Sequence, residues 1–272
     1  MGARIKGILI VTATLFVGLA TTAGAQAAQC GNNASGFERW KAQFTQQAAA
    51  RGVGQRALDA LQRTSYNRQT IAADRGQKSF KLSLSQFMQK RGADAIVRRG
   101  KSMKQRHASL LNSIERRYGV PPGPLLAIWG METGFGGFMG NQNILSSIAT
   151  VSYDCRRSDF FTPHLYGALT MIDRGMLSPS AVGAAHGEIG HTQFLPGNAL
   201  KYGVDGDGNG RVDLIRSPAD ALASTANFLR AHGWRPGAGY QPGQANFRAL
   251  QGWNAASVYQ QAIAIIGRDI DG

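Results

Sequence analysis

Apolar residues recur at helical spacing through the first half of the chain. Phe37, Trp40 and Phe44 fall at i, i+3 and i+7, one face of a helix. Arg51-Gly52-Val53-Gly54 ends that pattern, and a second runs through Ala57, Leu58 and Leu61. From Ser79, the spacing of Phe80, Leu84, Phe87 and Met88 predicts another helix. Lys101 to Arg117 predicts a basic amphipathic helix with Leu110, Leu111 and Ile114 on one side. Gly119-Val120-Pro121-Pro122 then breaks the chain, because proline lacks the helical N–H and disfavours the α conformation before it. Beyond this break, Pro124 to Thr133 reads as a short apolar helix, and Ala255 to Ile266 as the final one. Ser178-Pro179 and Ser217-Pro218 each read as a helix start, serine capping and proline opening the first turn. Arg235 to Gln244, rich in Gly, Pro and Gln, reads as an exposed loop. Period-two alternation is scarce, so the expected class is mainly α.

The first residues follow a different logic. Arg4 and Lys6 precede an apolar run from Gly7 to Ala20, and Ala25-Gln26-Ala27 offers small residues for cleavage. This predicts a secretory signal peptide over residues 1–27, the alternative being an uncleaved anchor. Cys30 follows Ala-Ala-Gln, a poor context for lipid attachment, and no later run reaches the ~18 apolar residues of a membrane span. The expectation is a soluble, exported chain without a transmembrane segment after cleavage.

Charge adds to this. Of 272 residues, 30 are Lys or Arg and 16 Asp or Glu, a formal net charge of +14, which favours an anionic partner. Export sets intracellular nucleic acid aside and leaves anionic lipid or an acidic wall polymer. With 43% hydrophobic residues the chain buries a real core and is not disordered. The two cysteines, Cys30 and Cys155, read as one disulfide in an oxidising compartment, or else as two separate thiols.

One carboxyl stands out. Leu125, Ile128, Trp129 and Glu132 share a helix face at i, i+3, i+4 and i+7. A carboxyl on an apolar face is costly to ionise, so its pKa rises. A glutamic acid protonated near neutral pH is what cleavage of a glycosidic bond needs from its acid. Thr133-Gly134-Phe135-Gly136-Gly137 would end the helix and leave room for a bulky ligand. The alternative is a buried Glu paired with an arginine. Further on, Gly187-Glu188-Ile189-Gly190-His191-Thr192-Gln193-Phe194-Leu195-Pro196 alternates glycines with polar groups, as a cleft wall or an ordinary loop would.

These residues carry a resemblance. Ile128-Trp129-Gly130-Met131-Glu132-Thr133-Gly134-Phe135-Gly136 resembles the catalytic segment of lytic murein transglycosylases of the membrane-bound lytic transglycosylase B type. Gly190 to Pro196 resembles that family's Gly-x-x-Gln-Phe-Met-Pro motif. Asp74-Arg75-Gly76-Gln77, Tyr153-Asp154-Cys155-Arg156-Arg157, Tyr202-Gly203-Val204-Asp205, Ala226-Asn227-Phe228 and His232-Gly233-Trp234 follow in the family's order, and Trp253-Asn254 with Tyr259 resembles its aromatic-Asn and Tyr pair. The resemblance implies a helical N-terminal region over 28–118 and a lysozyme-like helical core over 119–272, with the C-terminal helices packing back. It implies cleavage of the β-1,4 bond between N-acetylmuramic acid and N-acetylglucosamine in periplasmic peptidoglycan, leaving 1,6-anhydromuramoyl ends. Glu132 would be acid and then base, with no cofactor in the chemistry. Arg156, Arg157, Gln193, Phe228, Trp253 and Tyr259 would line the glycan cleft; the alternatives are a solvated basic surface for the arginines and plain core packing for Phe228. Peptidoglycan strands are the implied partner, with wall-synthesis or division proteins as further candidates. Rival readings are a hydrolytic muramidase on the same bond and a non-catalytic wall-binding protein. Glu188 departs from the Gly-Ala-Met that the family usually has, and puts a second carboxyl either in the cleft or on the surface.

Asp205-Gly206-Asp207-Gly208-Asn209-Gly210-Arg211-Val212-Asp213 matches positions 1, 3, 5, 6 and 9 of a calcium loop, with the Arg211 carbonyl at position 7. Position 12, normally Glu, is Arg216, and the next acid is Asp220. Asp220 would be either the displaced ligand of a structural Ca²⁺ or part of a cap with Ser217. The alternative to a cation is a metal-free Gly/Asp turn within a small irregular or β segment.

Overall fold

A computed structural model describes residues 28–76 and 81–272. The expected signal peptide, Gln77 of the Asp-Arg-Gly-Gln motif, and Ser79 and Phe80 lie outside the described residues.

The helices form where apolar residues recur at helical spacing, and a few also carry a side-chain cap. After a one-turn 3-10 helix at Ala34–Gly36, α1 (Phe37–Ala50) buries Phe37, Trp40, Phe44 and Ala48. Phe37 and Trp40 pack on Tyr153, whose hydroxyl donates to the Asn33 carbonyl at 2.8 Å. α2 (Gln55–Gln62) has no cap of its own; the Asp173 carboxylate accepts from the Gly54 and Ala57 N–H groups instead. α3 (Arg68–Gly76) follows, and a Ser83–Gln86 capping box opens α4 (Leu84–Arg91).

The expected helix over Lys101 to Arg117 is two helices, α5 (Ala93–Arg106) and α6 (Ala108–Tyr118). His107 leaves the helical conformation between them, and its ring packs edge-on against Trp129. Gly119, at φ +70°, ends α6 in the left-handed conformation that glycine adopts without penalty.

α7 (Pro122–Thr133) starts at Pro122, earlier than the expected Pro124. It is buried on every side, with Glu132 its one residue that is not fully buried, so it is a core helix rather than an amphipathic one. α8 (Ile144–Tyr153) and α9 (Ser158–Asp173) follow, then α10 (Pro196–Tyr202), α11 (Pro218–Ala231), α12 (Phe247–Trp253) and α13 (Ser257–Asp271). α13 lies along α7, where Gly123 and Gly267 let the two backbones touch.

Ser178-Pro179 starts no helix. The chain enters an antiparallel ribbon there, β2 (Val182–Gly183) on β1 (Gln142–Asn143), and the Ala181 carbonyl accepts from Ile144 N–H. The residues after Pro179 lack apolar periodicity, so pairing prevails over the cap signal. Ser217-Pro218 does start α11, and Ser217 Oγ accepts from Asp220 N–H at 3.1 Å. The acidic loop is irregular, and the two strands lie outside it. One cluster of buried residues runs from Phe37 to Ile270, and Cys30 and Cys155 are joined by a disulfide. Among the described residues no helix is long and apolar enough to cross a membrane.

Candidate active site

Glu132 occupies the last turn of α7, and Gly134, at φ +57°, stops the helix immediately after it. The carboxyl opens into a cleft of about 330 Å³. Oε1 accepts two hydrogen bonds from the C-terminal part of the chain, from Tyr259 Oη at 2.6 Å and Trp253 Nε1 at 3.2 Å. No hydrogen bond engages Oε2 among the described residues. Burial pushes the Glu132 pKa above the usual carboxylate value; the Tyr259 and Trp253 hydrogen bonds and the Arg91 charge pull the other way, and the Glu188 charge adds to the rise. The same contact with Glu132, on top of burial, holds the Tyr259 hydroxyl well above the usual phenol value.

The opposite wall comes from the Gly187–Pro196 segment. Ile189 and Phe194 exchange both backbone hydrogen bonds, at 2.8 and 3.1 Å, closing a tight reversal. Gln193 is the last residue of this turn and has φ +54°, a conformation that costs a non-glycine residue of order 1 kcal/mol. Its side chain donates to the Gly190 carbonyl at 2.6 Å and the Met139 carbonyl at 3.3 Å, tying the reversal to the turn after α7. Thr133 Oγ1 adds a 2.7 Å bond to the His191 carbonyl. Phe194, Phe228 and Trp253 form an edge-to-face aromatic set along the cleft. Phe228 is also stacked on His232 with centroids 3.9 Å apart, so it is core and cleft wall at once.

Glu188 faces this cleft rather than the surface. Both its oxygens are taken by His186, one by Nδ1 and one by the backbone N–H, each at 2.9 Å. Burial alone would raise its pKa, but the His186 contacts outweigh burial and hold it below the usual value.

Arg156 and Arg157 are placed elsewhere. They clasp the buried Asp74 of α3, Arg157 at 3.0 Å, and do not line the cleft around Glu132. The physical reason is that Asp74, almost fully buried, needs cationic partners, and His186 Nε2 approaches it from the cleft side at 3.6 Å. Arg91 is the cleft cation that sequence reasoning missed. It donates to the Met131 carbonyl at 3.2 Å and lies over the Phe87 and Tyr259 rings. Nothing in its sequence surroundings distinguishes it from other arginines. Asn198 lines the cleft equally without a signal.

In the acidic loop, single carboxylate oxygens of Asp205, Asp207 and Asp220 lie within 4.8 Å of one another. Asp220 is fully buried, and its two oxygens accept from Gly206 and Asp213 N–H. The cap of α11 is therefore Ser217, and the Asp220 carboxylate staples the loop. Asn209 Oδ1 and Asp213 Oδ1 are turned onto backbone N–H groups of Arg211, Ile215 and Arg216. Three convergent carboxylates are a donor set that fits a hard divalent cation. Arg211 could contribute only its carbonyl.

A mainly helical body with a recessed carboxyl against an aromatic wall is the lysozyme-like helical fold of the lytic transglycosylases. Residues 36–244 match the family described as Transglycosylase SLT domain, and the chain belongs to that family. The chain is 36% identical to membrane-bound lytic murein transglycosylase B of Escherichia coli (strain K12) over 143 residues, which are 52% of this chain and 39% of that protein. The match thus spans well under half the length of that relative. SltB3 of Pseudomonas aeruginosa, solved in complex with NAG-anhNAM-pentapeptide, superimposes with a TM-score of 0.79 at 29% identity, covering 87% of this chain and 80% of that one. Escherichia coli Slt35, solved in complex with calcium, shares the fold with a TM-score of 0.75 at 23% identity, over 90% and 96% of the two chains.

Proposed function

We propose that this protein is a periplasmic lytic transglycosylase that cleaves the β-1,4 bond between N-acetylmuramic acid and N-acetylglucosamine and leaves 1,6-anhydromuramoyl ends. The observation that carries this reading is the Glu132 carboxyl, which lines the cleft, is held through Oε1 by Tyr259 and Trp253 and is raised in pKa by burial.

The chemistry needs one carboxyl. Glu132 gives its proton to the glycosidic oxygen as the bond to C1 breaks. The substrate's own acetamido oxygen stabilises the cation at C1. The muramoyl O6 hydroxyl then bonds to C1, and its proton passes to Glu132, which ends protonated as it began. No water is consumed, so a cleft walled by Phe194, Phe228 and Trp253 favours O6 over water. The anhydro and plain NAG-NAM-pentapeptides bound to SltB3 support the same substrate class here.

Residues 1–27 as a cleaved signal and a structural Ca²⁺ on Asp205, Asp207 and Asp220 belong to the same proposal. The disulfide supports an oxidising compartment, and the calcium complex of Slt35 is consistent with the cation.

Mass spectrometry of digested sacculi tests the reaction. Anhydro ends lie one water below reducing ends, and reducing ends would instead support a hydrolytic muramidase. That second reading draws on Glu188 in the cleft, although His186 already occupies both its oxygens. Undiminished lysis by Glu132→Gln would overturn both.

A further inference from the structure

Beside the β1–β2 ribbon, bordered by Ala181 and Val182, lies a larger groove, of about 990 Å³. Arg56, Arg174, Arg211 and Arg216 line it together with Ser178 and Ser180. We propose that this groove is a second binding site, for the carboxylates of peptide stems attached to the glycan strand that occupies the cleft. The proposal rests on the glycan-cleaving reading above.

Among the described residues, none of these four guanidiniums pairs with a carboxylate. The nearby acids are already engaged. Asp173 accepts from Gly54 and Ala57 N–H, at 2.6 and 3.1 Å. Asp205 and Asp213 also line the groove; both oxygens of Asp205 and Oδ1 of Asp213 accept from N–H groups of their own loop, and the four arginines outnumber these two carboxylates. An arginine without an internal partner presents its whole donor fork outward, in the geometry that matches a carboxylate. Four of them around one concavity concentrate a field for a ligand carrying several negative charges. Arg156 and Arg157, by contrast, are committed to Asp74.

Position selects peptide stems over a free anion. Ala181 and Val182 line the groove, whereas Ala184 and Ala185 line the Glu132 cleft. Two residues of extended chain separate the two walls by about 7 Å. A stem leaving a sugar seated in the cleft has only the ribbon to cross. Val182, 54% exposed, gives that ribbon an apolar crest for the aliphatic parts of a stem. The stem carboxylates then meet the arginines and serine hydroxyls beyond.

The test uses the full chain. In a Glu132→Gln background, which prevents cleavage during the assay, Arg56→Ala, Arg174→Ala and Arg216→Ala together should weaken co-sedimentation with intact sacculi about tenfold at 0.1 M salt. With Glu132 in place, the same triple variant should cleave peptide-stripped glycan strands as the parent does. Calorimetric titration of the parent with soluble stem peptides should give saturable binding that weakens with salt and that inorganic phosphate does not displace at equal ionic strength. This measurement decides the matter even if the triple variant folds poorly. Unchanged sacculus binding, an equal loss on stripped strands, displacement by phosphate, or no binding of stem peptides would each overturn the proposal. If the parent fails to cleave stripped strands, the glycan-cleaving reading falls, while the stem titration still judges the groove.

Discussion

At the residue scale, the Glu132 proton is set by opposed influences that single substitutions can separate. Burial raises its pKa, the Tyr259 hydrogen bond lowers it and the Glu188 charge raises it. Tyr259→Phe should therefore move the basic limb of the pH–rate profile to higher pH, and Glu188→Ala should move it to lower pH. Shifts in one common direction would show that these neighbours act by packing alone. Glu132→Gln should cost at least about a hundredfold in sacculus lysis, the usual worth of a general acid. It should also stabilise the fold at neutral pH. A carboxyl whose folded pKa is raised contributes stability that is fully present below its unfolded value and is lost as the pH climbs through the folded one. Melting curves should coincide near pH 4 and favour the Gln variant at pH 8. The recessed position of Glu132 and the rise of its pKa were legible from its spacing in the sequence. That Trp253 and Tyr259 donate to its oxygen was not, because hydrogen bonds across 121 and 127 residues leave no local pattern. Arg91 was invisible for the same reason, and the Asp74 clasp that takes up Arg156 and Arg157 depends on a long-range burial.

At the scale of elements, local signals were read correctly where an apolar stripe was regular, as at α1 and α2, and where a capping serine preceded proline, as at α11. They failed where tertiary contacts decided. Packing of His107 on Trp129 accompanies the α5–α6 break, and ribbon pairing keeps the segment after Ser178-Pro179 out of a helix. α12 is a seven-residue helix without a side-chain cap, too short for periodicity to declare it. Ser217→Ala, which removes the cap of α11, should cost about 0.5–2 kcal/mol in denaturant melts. Ca²⁺ should raise the melting temperature through the adjoining loop, by up to about 2.7 kcal/mol of stability at a hundredfold excess over Kd. Asp205→Ala with Asp207→Ala should abolish that gain, and identical melts in chelator and in millimolar Ca²⁺ would leave the loop a simple turn.

At the scale of the whole molecule, Cys30–Cys155 closes a loop with a sequence separation of 125 and fastens the start of the described chain beside Asp154. In the chain-entropy view such a closure is worth about 3–5 kcal/mol. Reduction, or Cys30→Ser with Cys155→Ser, should lower the melting temperature by that equivalent without altering the Glu132 cleft; an unchanged melt would place the stability in the shared core alone. The helical class was legible from the apolar spacing in the sequence. That the C-terminal helices pack back came only from the family resemblance; apolar spacing could not show how closely α13 seats on α7, because Gly123 and Gly267 touch through backbone atoms that hydrophobic patterns do not encode.

That return of the chain has a consequence for the order of synthesis. The acid emerges with α7, yet both donors to its oxygen lie beyond residue 244, where the family match ends. A nascent or clipped chain that stops there has Glu132 without Trp253, without Tyr259 and without the helix that covers α7. Residues beyond the family match thus complete the surroundings of Glu132, and its Oε1 stays without either donor until synthesis has passed Tyr259.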